Sequence, residues 1–263
     1  MRLSGPRLIG WTGRRSRELG LDTTTLARSN DVIAKAVAEQ PLTRRALAAT
    51  LERHRLAPDG QRIVYMLIRA ELDMIVCSGP LEDKQHTYAS FDARVPAARE
   101  LTRDEALGRL AKRYFAARGP ATLKDFSWWS GLPMRDARRA TEIGTRALDR
   151  IVIDARNYFF AEQPAPKAAR PRVDLVQIYD ETIIAYSESR DVLRTETARF
   201  AVPSNIGGFP HVILREGRLL GNWKAVRMRD DVRVETRMNG KLDDATQASL
   251  ERAVERYRRF ATQ

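Results

Sequence analysis

The stretch Gly119-Pro120-Ala121-Thr122-Leu123-Lys124-Asp125-Phe126-Ser127-Trp128-Trp129-Ser130-Gly131-Leu132-Pro133-Met134-Arg135-Asp136-Ala137-Arg138-Arg139 decides how the rest of the chain is read. Thr122 supplies a hydroxyl that can cap a short helix, Gly131 can end it, and Pro133 suits the first position of a second helix, where a missing amide costs nothing. This is a helix-turn-helix in sequence form. On the second helix Arg135, Arg138, Arg139, Glu142 and Arg146 fall on one side at spacings of three and four, and Ala137, Ala140, Gly144 and Ala147 on the other. Small residues on one side let the helix press against a core while a cationic side looks outward, which is how many such helices enter the major groove of DNA. A solvated arginine face on an ordinary three-helix domain is the alternative.

Upstream, Thr102-Arg103-Asp104-Glu105 is a capping signature ahead of Ala106, Leu107, Leu110, Ala111, Tyr114 and Phe115, so a helix is expected that stops near Gly119. Downstream, Ile151-Val152-Ile153 and Asn157-Tyr158-Phe159-Phe160 read as a short hairpin. The same order appears earlier in the chain. Helical patterns cover Thr23 to Glu39, Thr43 to Leu51 and Gln61 to Asp73, and two strands, Met74–Cys77 and Thr87–Phe91, are joined by the polar tip Glu82-Asp83-Lys84-Gln85-His86. Pro41-Leu42-Thr43 and Pro120-Ala121-Thr122 occupy equivalent places, and this internal repeat predicts tandem winged helices. Of the helices in the first copy, Gln61–Asp73 reads as core, because Arg62, Tyr65, Arg69 and Asp73 form only a narrow polar stripe. Trp128 and Trp129 are adjacent and cannot both face inward, so one is expected at an interface with a neighbouring unit or a ligand.

Residues 1–22 show no clear cap or period and read as a remnant segment. The first winged helix is assigned to 23–95 and the second to 96–162. Ala161 to Arg172, with three prolines, reads as a linker. Residues 173–263 form a β-rich C-terminal domain: strands are expected over Val173–Tyr186, His211–Leu214, Leu219–Val226 and Val232–Thr236. A last helix carries Leu250, Val254, Tyr257 and Phe260, with Glu255 and Arg259 paired outside. The fold class is therefore α+β, tandem winged-helix units followed by a small antiparallel sheet or barrel and a C-terminal helix.

A chain of 263 residues, 43% hydrophobic, can bury a sizeable core, and the formal net charge of +12, carried mostly by arginine, favours a polyanionic partner. Double-stranded DNA is the expected partner. No apolar run approaches the roughly 20 residues of a spanning helix, so no membrane role is expected. One cysteine, Cys77, and three histidines leave no disulfide framework and no metal cluster; no cofactor is expected, and a cytoplasmic location fits. The residues expected to touch DNA are Arg135, Arg138, Arg139, Arg146 and Lys124 in the second unit, and Arg44, Arg45, Lys84, Gln85 and His86 in the first.

At these residues the sequence resembles the winged-helix DNA glycosylases of the AlkZ and YcaQ type. The matching stretches are Arg113-Tyr114-Phe115, Gly119-Pro120-Ala121-Thr122 through Trp128-Trp129-Ser130-Gly131-Leu132, Tyr179-Asp180-Glu181 with Tyr186, and Gly217-Arg218-Leu219-Leu220-Gly221-Asn222-Trp223-Lys224. The resemblance implies tandem winged helices set against a C-terminal barrel, with a concave basic surface for duplex DNA. It also implies a role in DNA repair, since some members excise alkylated bases or unhook interstrand crosslinks. The family's catalytic Gln-x-Gln or Gln-x-Asp is absent: Gln40, Gln61, Gln85, Gln163, Gln177 and Gln247 are followed two positions on by Leu, Ile, Thr, Ala, Tyr and Ser. The resemblance begins in what would be the middle of a family member, so the family's first winged helix is expected to be missing. Either the reading frame is truncated or the protein is a DNA-binding derivative without the chemistry.

Asp180 and Glu181, with Tyr179 beside them, are the weak candidates for replacing the catalytic pair. Adjacent on an expected strand, the two carboxylates point to opposite faces and do not form an acid–base pair by themselves. Three functions are consistent with the sequence: a duplex-binding member of the repair family without its catalytic motif, an active DNA glycosylase using other residues, and a transcriptional regulator reading an operator.

Overall fold

A computed structural model of the chain describes residues 2–162, 172–189, 211–229 and 231–262. They fall into two compact units, Met1–Leu107 with Ser130–Pro133, and Gly108–Trp129 with Met134–Gln263. No helix among the described residues is long and apolar enough to cross a membrane.

The first unit opens with α1 (Gly5–Glu18) and α2 (Thr23–Ala36). Then follow β1 (Leu42–Thr43), α3 (Arg44–Arg53), α4 (Arg62–Leu72), β2 (Val76–Ser78), β3 (Thr87–Ser90) and the single turn α5 (Phe91–Arg94). Asp22 starts α2 by accepting from the Thr25 amide at 2.7 Å, and Thr43 starts α3 by accepting from the Ala46 amide at 3.2 Å. These caps satisfy helix donors that would otherwise lack partners. The sheet runs β1-β3-β2, all antiparallel, with Leu42 opposite Tyr88 and Cys77 opposite Ala89. Helix, strand, two helices and a hairpin whose second strand returns to the first is the winged-helix order. Leu26, Ile33, Leu47, Leu51, Met66 and Leu67 fill the core between the helices.

α1 forms within residues 1–22, where the sequence shows no clear cap or period. Pro6 stands in its first turn, where it is tolerated, and the helix packs on α4. α4 is walled in as its narrow polar stripe suggests. Arg62 donates to the carbonyls of Ala57 and Leu19, while Arg69 pairs with Asp73 at 2.6 Å, the same carboxylate that accepts from Asn30 at 2.7 Å.

The same order recurs in the following stretch of chain. α6 (Arg103–Arg118) leads to α7 (Leu123–Ser130), α8 (Met134–Gly144) and the hairpin β4 (Asp149–Ile153) and β5 (Arg156–Phe160). Ala121 takes the place of the first strand through paired hydrogen bonds with Phe159, at 3.1 and 2.9 Å. Leu42 and Ala121, each one residue before a capping threonine, thus do the same job. Tyr114, Phe115, Phe126 and Phe159 form an aromatic core with ring centroids 5.1 to 5.5 Å apart.

The last part of the second unit is a four-stranded antiparallel meander, β6 (Val173–Val176), β7 (His211–Arg215), β8 (Arg218–Arg227) and β9 (Val232–Met238), closed by α10 (Asp244–Ala261). Alternation along β7 divides its core in two. Val212 and Leu214 join Leu219 and Ile183 on one side, and Ile213 joins Val173, Trp223 and Leu250 of α10 on the other. Glu255 and Arg259 pair on the outside of α10 at 3.0 Å. The expected strand over Val173–Tyr186 is cut short: it ends at Val176, and a one-turn helix, α9 (Glu181–Ile184), follows. The linker expected over residues 161–172 lies outside the described residues from 163 to 171.

Candidate nucleic-acid interface

The helix-turn-helix is built by local hydrogen bonds. The Thr122 hydroxyl accepts from the Asp125 amide at 3.2 Å while the Asp125 carboxylate accepts from the Thr122 amide at 2.9 Å, a reciprocal cap at the start of α7. Gly131, at φ +67°, ends that helix in the left-handed conformation glycine tolerates, and Pro133 stands immediately before α8. On α8, Ala137, Ala140 and Gly144 are buried, whereas Arg135, Arg138, Arg139 and Arg146 beyond its end are exposed.

These arginines differ in what holds them. Arg135 lies 3.5 Å from Asp136 with its side chain 91% exposed, a contact that water screens heavily, and Arg139 has a partner within the protein. Arg138 and Arg146 have no carboxylate partner among the described residues. Lys124 is exposed on α7 and pairs with Glu188 at 2.7 Å. In the first unit Arg44 and Arg45 are exposed on the first turn of α3, and Lys84, Gln85 and His86 are exposed at the tip of the β2–β3 wing, where Glu82 and Gln85 bridge.

The carboxylate candidates lie elsewhere than expected. Asp180 and Glu181 are not on a strand. Asp180 caps α9 by accepting from the Thr182 amide at 2.8 Å, so local capping overrides the β-branched run Thr182-Ile183-Ile184. Glu181 forms an ion pair with Arg118, whose guanidinium also sits 4.9 Å over the Trp129 ring. Tyr179 is exposed. Neither carboxylate is placed as an acid or base beside the other. Among the described residues no cluster of His, Cys, Asp and Glu could hold a metal ion.

Asp125 is the residue that sequence reasoning missed. Its carboxylate is fully buried and accepts from the amides of Ser187, Glu188 and Ser189 at 2.8, 2.7 and 3.1 Å. It also accepts from the hydroxyls of Ser189 and Thr122 and from the Thr122 amide. Burial raises its pKa, but those hydrogen bonds together outweigh burial and hold it below the ordinary aspartate range. Next to this clamp the Tyr186 hydroxyl donates to the Arg118 carbonyl at 2.8 Å and the Trp128 indole donates to the Ile184 carbonyl at 2.8 Å. The segment after α9 is thereby fastened to α6 and α7. The Thr122-x-x-Asp125 spacing signals the cap; nothing local signals the distant seryl partners.

Paired winged-helix folds, one with an arginine-faced second helix, and a helix-backed antiparallel sheet define a protein of the winged-helix class. The family described as AlkZ-like, DNA glycosylase AlkZ-like, matches residues 1–260, and the chain belongs to that family. It is 24% identical over 162 residues to an interstrand DNA cross-link repair glycosylase of Streptomyces sahachiroi. That alignment takes in 58% of this chain and 43% of the relative, so the chain matches less than half of the relative's length. The solved structure of the S. sahachiroi DNA glycosylase AlkZ superposes with a TM-score of 0.67 at 19% identity, over 91% of this chain and 69% of that one, a likeness of fold.

Proposed function

We propose that these 263 residues bind double-stranded DNA through their winged helices and serve DNA repair, without a Gln-x-Gln or Gln-x-Asp motif of their own. The observation that carries this reading is the exposed arginine side of α8 set against a buried side of alanines and glycine, on the second helix of a helix-turn-helix. The wing tip and the start of α3 add Lys84, Gln85, His86, Arg44 and Arg45 as further contacts to phosphate. Neither Gln-x-Gln nor Gln-x-Asp occurs in these 263 residues, Asp180 is spent on a cap, and Glu181 pairs with Arg118. A reducing, cytoplasmic setting fits the single half-buried Cys77.

Fluorescence anisotropy with a short unmodified duplex tests the binding half. Affinity is expected to fall by at least about a hundredfold between roughly 50 and 200 mM salt, as counterion release requires for several phosphate contacts. Salt-insensitive binding, or none, overturns it. Appearance of abasic sites when a duplex carrying an alkylated purine is incubated with excess protein establishes the alternative, an active DNA glycosylase using other residues.

A further inference from the structure

The hairpin of β4 and β5 has one edge in use and one open. On β5, Phe159 turns its amide and its carbonyl to Ala121, at 2.9 and 3.1 Å, and Arg150 stands opposite Phe159 on β4. Arg150 and Phe159 therefore exchange no hydrogen bonds, and the ladder between β4 and β5 is made by the alternate residues Asp149, Ile151 and Ile153. The two-residue turn Asp154-Ala155, with φ +48° and +59°, sets the same alternation from the other end. The amides and carbonyls of Arg150 and Val152 thus face outward, and no strand among the described residues meets them. Every residue of β4 is exposed, Ile151, Val152 and Ile153 at 44%, 57% and 49%, so the strand stands in water on both faces. No proline, lysine or bulge interrupts it, and an open apolar edge of this kind is a template for another strand. Arg150 and Asp154 make no ion pair among the described residues.

We propose that β4 pairs antiparallel with β4 of a second copy of this chain, about a two-fold axis through Val152. In such a pair the residues that exchange hydrogen bonds must both turn outward, which leaves two registers: Val152 opposite itself, or Arg150 opposite Val152. Charge chooses between them. With Val152 on the axis, Arg150 lies opposite Asp154 of the second copy and Ile151 opposite Ile153 of the second copy, and symmetry makes each of these pairs twice. In the other register Arg150 faces Val152 and Asp154 faces Leu148, so neither charge meets its opposite. A phosphate backbone is a poor occupant of this edge, because Asp149 and Asp154 flank the apolar run and repel it. The inference stands apart from the duplex-binding reading.

Sedimentation equilibrium of the whole chain, free of nucleic acid, tests this. Reversible dimers are expected with a Kd on the order of 10 μM, weak as befits an interface built on one strand pair. Val152→Pro removes the amide on the axis without touching the bonds to β5, since proline is tolerated where the N–H of a strand faces outward, and it abolishes the dimer. Arg150→Glu sets like charges opposite one another twice and weakens dimerisation at least about tenfold. Adding Asp154→Asn, which suits the left-handed turn position, removes that repulsion and recovers most of the loss. Thermal melts of R150E and R150E/D154N that coincide with wild type show the hairpin intact. A chain that stays monomeric at all concentrations overturns the proposal, as does a dimer indifferent to V152P, or one in which D154N fails to rescue R150E. Duplex affinity lost in V152P, with no dimer in the wild type, assigns the edge to DNA and likewise overturns it.

Discussion

At the scale of single residues, Asp125 bears more weight than any arginine. It is fully buried with no cationic partner among the described residues, and hydroxyl and amide donors from Thr122 and the 187–189 segment stabilise it. Asp125→Asn turns two of its acceptor sites into donors and sets them against donors, leaving buried groups unpaired. The expected cost is about 3 kcal/mol, read from urea denaturation at neutral pH. The pH dependence has a definite sign. Because the folded pKa lies below the unfolded value, the carboxylate's contribution is complete above the ordinary aspartate pKa of about 4 and disappears as pH falls through the depressed folded value. The difference in stability between wild type and D125N therefore narrows on acidification below about pH 4. A difference that stays constant down to the acid-unfolding region contradicts the clamp.

At the scale of elements, two glycines show how differently helices of this protein are packed. A Cβ placed on Gly144 would lie 2.5 Å from the Gly108 carbonyl oxygen and 2.8 Å from the Lys112 amide, both backbone atoms of α6, so α8 crosses α6 as closely as backbones can. Gly144→Ala is expected to destabilise by about 1–3 kcal/mol despite alanine's better helix propensity. Gly10, in the middle of α1, would place its Cβ in open space, and Gly10→Ala is expected to stabilise by up to about 1 kcal/mol. Thermal melting of both variants checks the pair, and a stabilising G144A refutes the close crossing. These positions also show what was legible in the sequence. Thr122, Gly131 and Pro133 each carry a strong local preference, and the helix-turn-helix appears where they place it. The two hairpins and the meander were legible from β-branched runs between turn residues. α1 was not, because Gly10 and Gly13 interrupt its helical pattern and its buried side is made of small residues such as Gly5 and Ser16. α9 was misread because Thr182-Ile183-Ile184 favours a strand until the Asp180 cap and the burial of Ile183 are known. The clamp on Asp125 joins residues more than sixty positions apart, which no local pattern encodes.

At the scale of the whole molecule, a net charge of +12 is a property of composition, and binding depends on which of those charges are available. Many are committed within the fold. Arg69 pairs with Asp73, Arg215 lies 3.0 Å from Asp243 and helps, after the hydrogen bonds from Thr246, to hold that carboxylate down to about 2, and Arg258 pairs with Asp231 at 2.5 Å. Arg138 and Arg146 are not so committed among the described residues. This separates two accounts of DNA binding that composition alone confounds. If net charge drives association, Arg138→Ala and Arg258→Ala are equivalent, since each removes one positive charge. If α8 lies along the phosphate backbone, only the first weakens binding, and it does so evenly across duplex sequences while lowering the slope of log affinity against log salt by about 0.9; R138A/R146A lowers it by about 1.8. R258A leaves the slope where it was. Titrations of the three variants at several salt concentrations decide the matter, and equal slopes for R138A and R258A reject α8 as the contacting face.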